Sequence, residues 1–216
     1  LSVFISLTVS GQTTWYISPS GSDATGAGTQ DNPWRTLYKA CNDPSVSEGD
    51  DIFAVAGTHY ITTQCELPDG VDLTGEGIDR TIFHVSLTTA TAIKLESYGY
   101  WGNSSYGNQS ISYLTMDGDL TGLSAITVNF RSNVKIHHVK IIDFAQSGVT
   151  FYGQPSASWT GTNPYETWRT MPSAWCSGNE LYNSILTNNA VYTTQGYGNI
   201  QYGQQDGFKA YSNTIT

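Results

Sequence analysis

Residues 111–116 (ISYLTM) and 136–141 (IHHVKI) are one unit written twice, 25 residues apart. Residues 181–186 (LYNSIL) repeat it after a further 45, the excess being an insertion. A second unit recurs between them at 124–128 (SAITV), 147–151 (SGVTF) and 206–210 (DGFKA), with 91–95 (TAIKL) as a weaker fourth. A unit of this size cannot bury its apolar side alone. It must stack on its neighbours, and strand-like units with a period in the low twenties predict a β-solenoid.

The composition fits stacked strands. Thr, Tyr, Val and Ile alternate with Gly, Asn and Asp turn residues, the pattern of many short strands. Apolar residues make up 38% of the chain and there are six Trp, too much for a disordered chain. Lys and Arg total 9 against 18 Asp and Glu, a net charge of −9. A chain this acidic is a poor nucleic-acid ligand, because phosphate binding needs clustered cations. No apolar run is long enough to span a membrane.

One helix is legible. Asn32 and Pro33 suit the N-cap and first helical positions. Trp34, Leu37, Tyr38 and Cys41 then fall on one face, and Asn42-Asp43-Pro44 ends it, which predicts a helix over about 33–42. Residues 1–11 are mostly apolar and end Val9-Ser10-Gly11, the composition of a secretory signal-peptide remnant; a first strand is the alternative. Cys41, Cys65 and Cys176 allow one internal disulfide, with Cys41–Cys65 favoured by proximity and buried free thiols equally compatible.

The head of the chain is more specific. It reads Trp15-Tyr16-Ile17-Ser18-Pro19-Ser20-Gly21-Ser22-Asp23, then Asn32-Pro33-Trp34, then Gly49-Asp50-Asp51-Ile52 and Gly57-Thr58-His59-Tyr60. This resembles the opening of right-handed parallel β-helix proteins of the pectate-lyase-like superfamily. The resemblance implies an all-β chain of three-sheet coils, with a short capping helix at the N-terminus and a β-helix domain over 12–216. About five or six coils are expected, with the chain cut short at its C-terminus. It places His138 and Asn183 at the tight corner between two strands of a coil. It also makes the unit at 91–95, 124–128, 147–151 and 206–210 the strand whose outer face lines the substrate groove.

Strand alternation then assigns faces. Lys94, Thr127, Thr150 and Lys209 form one expected outward column; Glu96, Asn129, Tyr152 and Tyr211 form the next. The insertions at about 96–108 and 153–178 follow groove strands and carry Trp101, Trp159 and Trp168 among eight Trp and Tyr residues. Such rings stack on sugars; a hydrophobic plug on the solenoid flank is the alternative. The implied partner is therefore a polysaccharide, and the implied location is secreted or periplasmic.

The resemblance further implies β-elimination on a uronate polymer such as pectate or alginate. Lys209 is the expected base, with Asp206 beside it as acid, base or ligand, and Lys94 the expected carboxylate binder. Lys94, Thr127, Thr150, Tyr152, Trp101, Trp159 and Trp168 are the expected substrate contacts. Asp117, Asp119 and Asp143 are acidic enough for Ca²⁺, which would neutralise the uronate charge; turn capping is the competing role. No organic cofactor is implied. A glycoside hydrolase on the same scaffold and a non-catalytic glycan-binding adhesin or tailspike-like solenoid are the alternative functions.

Overall fold

The computed structural model describes residues 11–97, 107–153, 176–191, 198–203 and 205–216. In chain order these form β1 (Thr14–Ile17), α1 (Leu37–Asn42), β2 (Asp51–Ala54), β3 (Gly57–Ile61), β4 (Cys65–Glu66), β5 (Asp72–Gly75) and β6 (Thr81–Val85). Next come β7 (Thr91–Glu96), β8 (Gly107–Asp117), β9 (Ser124–Asn129), β10 (Ser132–Ile142), β11 (Val149–Tyr152) and β12 (Cys176–Ser177). The chain continues with β13 (Glu180–Tyr182), β14 (Ile185–Thr187), β15 (Ile200–Gly203), β16 (Gln205–Asp206), β17 (Lys209–Tyr211) and β18 (Thr214–Ile215).

The repeat becomes register. Ile136 lies beside Ile111 and Leu181, so both the 25-residue spacing and the 45-residue one bring equivalent residues side by side. The strand pairs are parallel throughout the described residues, and α1 is a six-residue helix. This is the arrangement of a β-helix solenoid.

An 11-stranded sheet runs β1-β2-β5-β8-β10-β13-β17, with β3, β6, β14 and β18 on a branch. The branch exists because β8 and β10 turn a corner midway. Tyr113 and His138 adopt left-handed φ of 57° and 51°. Beyond them Leu114 and Val139 pair on the second face, while Ser112 and His137 pair on the first. Asn183, with φ 51°, stands at the same corner between β13 and β14, so the corner expected at His138 and Asn183 is present.

A five-stranded sheet runs β15-β11-β9-β7-β4. Its inward column Ile93, Ile126 and Val149 is fully buried, as is Leu95, Val128 and Phe151. On the larger sheet Ile52, Leu73, Ile111, Ile136 and Leu181 make a third apolar column. These columns are one continuous core, which is how period-two alternation becomes stability in a solenoid.

The helix starts later than its sequence pattern indicates. Trp34 bridges to Ile17 as extended chain, and the Pro33 carbonyl accepts from Ser22 N, so Asn32 and Pro33 are committed outside the helix. Thr36 is the N-cap instead, its hydroxyl accepting from Lys39 N. The Asp23 carboxylate in turn accepts from Arg35 N, Thr36 N and Thr36 Oγ1.

A second difference bears on the site. Residues 206–210 are not the last strand of the five-stranded sheet; that strand is β15. Asp206 pairs with Ser177, and Lys209 with Glu180. The Gly207 φ of 71° matches the 70° of Gly178, so DGFK repeats SGNE at a corner rather than SGVT in a strand.

Candidate functional site on the five-stranded sheet

The outer surface of the five-stranded sheet is set by register. Glu66, Lys94, Thr127, Thr150 and Gln201 follow one another across β4, β7, β9, β11 and β15. Two residues further along, Glu96, Asn129 and Tyr152 make a second row. The strands of such a sheet lie about 4.8 Å apart, close to the length of one pyranose unit in a glycan chain.

The two threonine hydroxyls of the first row bond to each other, and Thr91 bonds to one of them. Thr127 Oγ1 lies 3.0 Å from Thr91 Oγ1 and 3.0 Å from Thr150 Oγ1. Thr150 is buried, and its hydroxyl also reaches the Ile126 carbonyl at 3.3 Å. It supports the row from beneath. Gln201 Oε1 accepts from Ser147 Oγ at 2.8 Å and from the Tyr152 hydroxyl at 3.3 Å. Tyr152 is 38% exposed and is the phenol standing on this surface.

Lys94 is held by charge. Its ammonium lies 2.6 Å from Glu96 Oε2, with the two side chains 18% and 9% exposed. Glu96 Oε2 also accepts from Asn129 Nδ2 at 3.0 Å. The pairing fixes the Lys94 ammonium on the outer face of the sheet.

Arg131 anchors the edge of this surface. Its side chain is 3% exposed and its Nε lies 2.7 Å from Asp69 Oδ1. Nη1 donates to the Leu67 carbonyl and Gln109 Oε1, and Nη2 to the Glu96 carbonyl. Burial pulls its pKa down, while the charges of Asp69, Glu66 and Glu96 act the other way. The guanidinium thus ties together Leu67, Glu96 and Gln109. The conjunction of Glu96, Gln109 and Arg131 is not visible in the sequence, since they come together only through register.

The expected pair Lys209 and Asp206 lies elsewhere. Lys209 is on β17 of the larger sheet, 66% exposed and 3.6 Å from Glu180 Oε1; Asp206 is exposed on β16. Tyr211 likewise leaves the second row and stacks on Tyr182 with rings 5.0 Å apart. The reason is the Gly207 corner, which turns the chain before β17. Trp101, Trp159 and Trp168 lie outside the described residues.

The three aspartates proposed for Ca²⁺ are not gathered into one ligand set. Asp117 Oδ1 accepts from Asp119 N at 2.9 Å, a turn capped by its own side chain. Asp143 Oδ1 accepts from Asn188 Nδ2, one coil further on. Among the described residues no group of three or more His, Cys, Asp and Glu is placed to hold a metal. His137 and His138 bond to each other through their Nδ1 atoms at 2.9 Å, stacked against Tyr182 and Tyr113.

No family model and no curated protein sequence matches the chain. Among solved structures it is similar to an alginate lyase from Paenibacillus sp. str. FPU-7, with a TM-score of 0.50 and 16% identity over 82% of this chain and 62% of that one. The A-module of a mannuronan C-5 epimerase from Azotobacter vinelandii shows a TM-score of 0.44 and 12% identity, over 76% of this chain and 49% of that one. The ORF18 protein of Geobacillus virus E2 gives 0.48 and 12%, over 93% of this chain and 40% of that one. The chain thus spans less than two thirds of each of these proteins. The likeness to the alginate lyase is one of fold: a β-helix. Among the described residues no helix is long and apolar enough to cross a membrane.

Proposed function

We propose that this is a secreted carbohydrate-active β-helix protein that binds a uronate-containing polysaccharide along the five-stranded sheet and cleaves it by β-elimination. Its coils are right-handed and three-faced, with α1 capping the first. The observation that carries the reading is the register placing Lys94, Thr127, Thr150 and Gln201 in one row, one residue per coil. The β-helix scaffold shared with an alginate lyase supports it as an analogy of fold.

In this reading Lys94, fixed by Glu96, meets the uronate carboxylate. Thr127 and the Gln201 amide meet ring hydroxyls. Tyr152 is the proton-transfer group, because its phenol is exposed and bonds to Gln201 in that row. Elimination moves the proton α to the carboxylate onto the Tyr152 phenolate, and the phenol so formed gives it to the departing glycosidic oxygen, so neutralising the carboxylate lowers the barrier. Ca²⁺ would add to that neutralisation from solution. Lys209, on the other sheet, takes no part.

Incubation with alginate and with pectate, with and without Ca²⁺, tests this by the ultraviolet absorbance of unsaturated ends. A rise that Lys94→Ala and Tyr152→Phe abolish supports elimination. A binding-only role is the second reading, favoured by the way the threonine hydroxyls satisfy one another. Retention on a uronate gel without any product would establish it. Neither product nor retention on any uronate polymer would end both readings.

A further inference from the structure

His137 and His138 bring two imidazoles together on the larger sheet. Successive residues of a strand point to opposite faces, so neighbours in sequence do not ordinarily meet. Here the left-handed corner intervenes. His138 has a φ of 51°, and its ring comes back to that of His137. The two Nδ1 atoms stand 2.9 Å apart, with the ring planes at 88°. Ile136 and Val139 on either side are in the core, while both histidines are half-buried and within reach of solvent.

Each ring is held by an aromatic partner from an adjacent coil. His138 stacks on Tyr113 with centroids 4.9 Å apart and planes at 21°, and His137 on Tyr182 at 4.9 Å and 17°. Asn183 Nδ2 lies 3.5 Å from His138 Nε2. The same two positions are Ser112 and Tyr113 in the coil before, and Tyr182 and Asn183 in the coil after. Of these three coils only the middle one presents a pair of imidazoles.

We propose that the Nδ1 atoms of His137 and His138 chelate a divalent transition-metal ion, Cu²⁺, in tetragonal geometry. Imidazole suits this class of ion. Two nitrogens about 2.05 Å from a metal and about 90° apart lie about 2.9 Å from each other, whereas a tetrahedral angle needs about 3.3 Å. The observed spacing matches the square corner of Cu²⁺ and not the wider angle of a structural Zn²⁺ site. In the metal-free pair one Nδ1 carries the proton and donates it to the other. Moving that proton to Nε2 of its own ring leaves both rings neutral and both Nδ1 lone pairs free, as metal binding requires. Where that ring is His138, the Asn183 amide, turned to present Oδ1, accepts the Nε2 proton. That is the outer hydrogen bond that orients a metal-bound imidazole. Among the described residues no third His, Cys, Asp or Glu is grouped with the pair, so solvent fills the remaining positions. The site is on the other sheet from Lys94 and does not depend on the proposed elimination.

The test titrates Cu²⁺ alone into the whole chain, read by calorimetry and by pulsed electron paramagnetic resonance of the bound ion. The expected result is one Cu²⁺ per chain, with a tetragonal signal modulated by two imidazoles. His137→Tyr and His138→Asn copy the residues of the next coil, so both keep the fold, which circular dichroism checks. Each should weaken binding by at least about tenfold and leave no more than one imidazole on any copper that remains. His84→Gln, on β6 of the same sheet and outside the pair, should bind as the wild type does. The wild-type spectrum alone decides if a variant fails to fold. No bound copper, a wild-type signal from a single imidazole, unchanged binding in His137→Tyr or His138→Asn, or loss of binding in His84→Gln would overturn the proposal.

Discussion

Gln201 follows Thr150 in the parallel register of β11 and β15, so among the described residues the outward row that contains Lys94 has an amide after Thr150 and not a lysine. The consequence is testable in binding. Gln201→Ala should weaken retention on a uronate polymer by about three- to tenfold, the worth of one hydrogen bond. Lys209→Ala should leave it within about twofold, because an exposed ion pair contributes little. Affinity electrophoresis of both variants measures this. A larger loss for Lys209→Ala than for Gln201→Ala would move the site to the other sheet.

The repeat made most of the scaffold readable. Ile111 and Ile136 carry a period, and a period is a register once the strands are parallel. The corner at His138 could be placed only through the resemblance to parallel β-helix proteins. Residues 206–210 misled for a physical reason: Asp-Gly is as good at a left-handed corner as at a strand entry. Only pairing with Ser177 and Glu180 separates the two. Arg131 was hidden altogether. Its partners Leu67, Asp69, Glu96 and Gln109 belong to neighbouring coils, and nothing local in the sequence announces a buried cation.

Arg131→Met should cost about 2–3 kcal/mol in urea unfolding, since it leaves buried acceptors without their charged donor. The Leu67 carbonyl and Gln109 Oε1 each lose a donor to the same nitrogen. Arg131→Lys should recover only part of this, because an ammonium cannot reproduce the fork. Full recovery with Lys would show that charge alone is what the position needs.

Asp51 predicts a stability gain at neutral pH. Burial raises its pKa to about 6, with Thr74 Oγ1 opposing and Asp72 adding to the rise. A carboxyl whose folded pKa is raised binds more protons folded than unfolded. Its ionisation therefore destabilises the fold as pH climbs from about 4, the ordinary value, through 6. Asp51→Asn keeps an oxygen for Thr74 and removes the charge. It should be more stable than wild type above pH 6 and equal to it below pH 4, by about 1–2 kcal/mol after solvent screening. Chemical denaturation at pH 4 and pH 7 reads both limits. A variant less stable at pH 7 would mean that the Asp51 charge is favourable where it stands.

His59 predicts the opposite slope on the acid side. Burial lowers its pKa, with the bond to the Val55 carbonyl a smaller opposing effect. Nε2 meets that carbonyl at 2.8 Å, Nδ1 is buried without a partner, and the ring packs 5.0 Å from Phe83. The folded chain therefore keeps this imidazole neutral where the unfolded chain protonates it. Stability should be fully present above about pH 6.5, the ordinary value, and fall as pH drops below it until the folded group also protonates. His59→Leu removes that term, so its stability relative to wild type should improve steadily from pH 7 to pH 5. Melting temperatures across that range, taken in the Asp51→Asn background to remove the competing carboxyl, isolate the histidine. Parallel curves for the two proteins would show that His59 does not titrate between the folded and unfolded states.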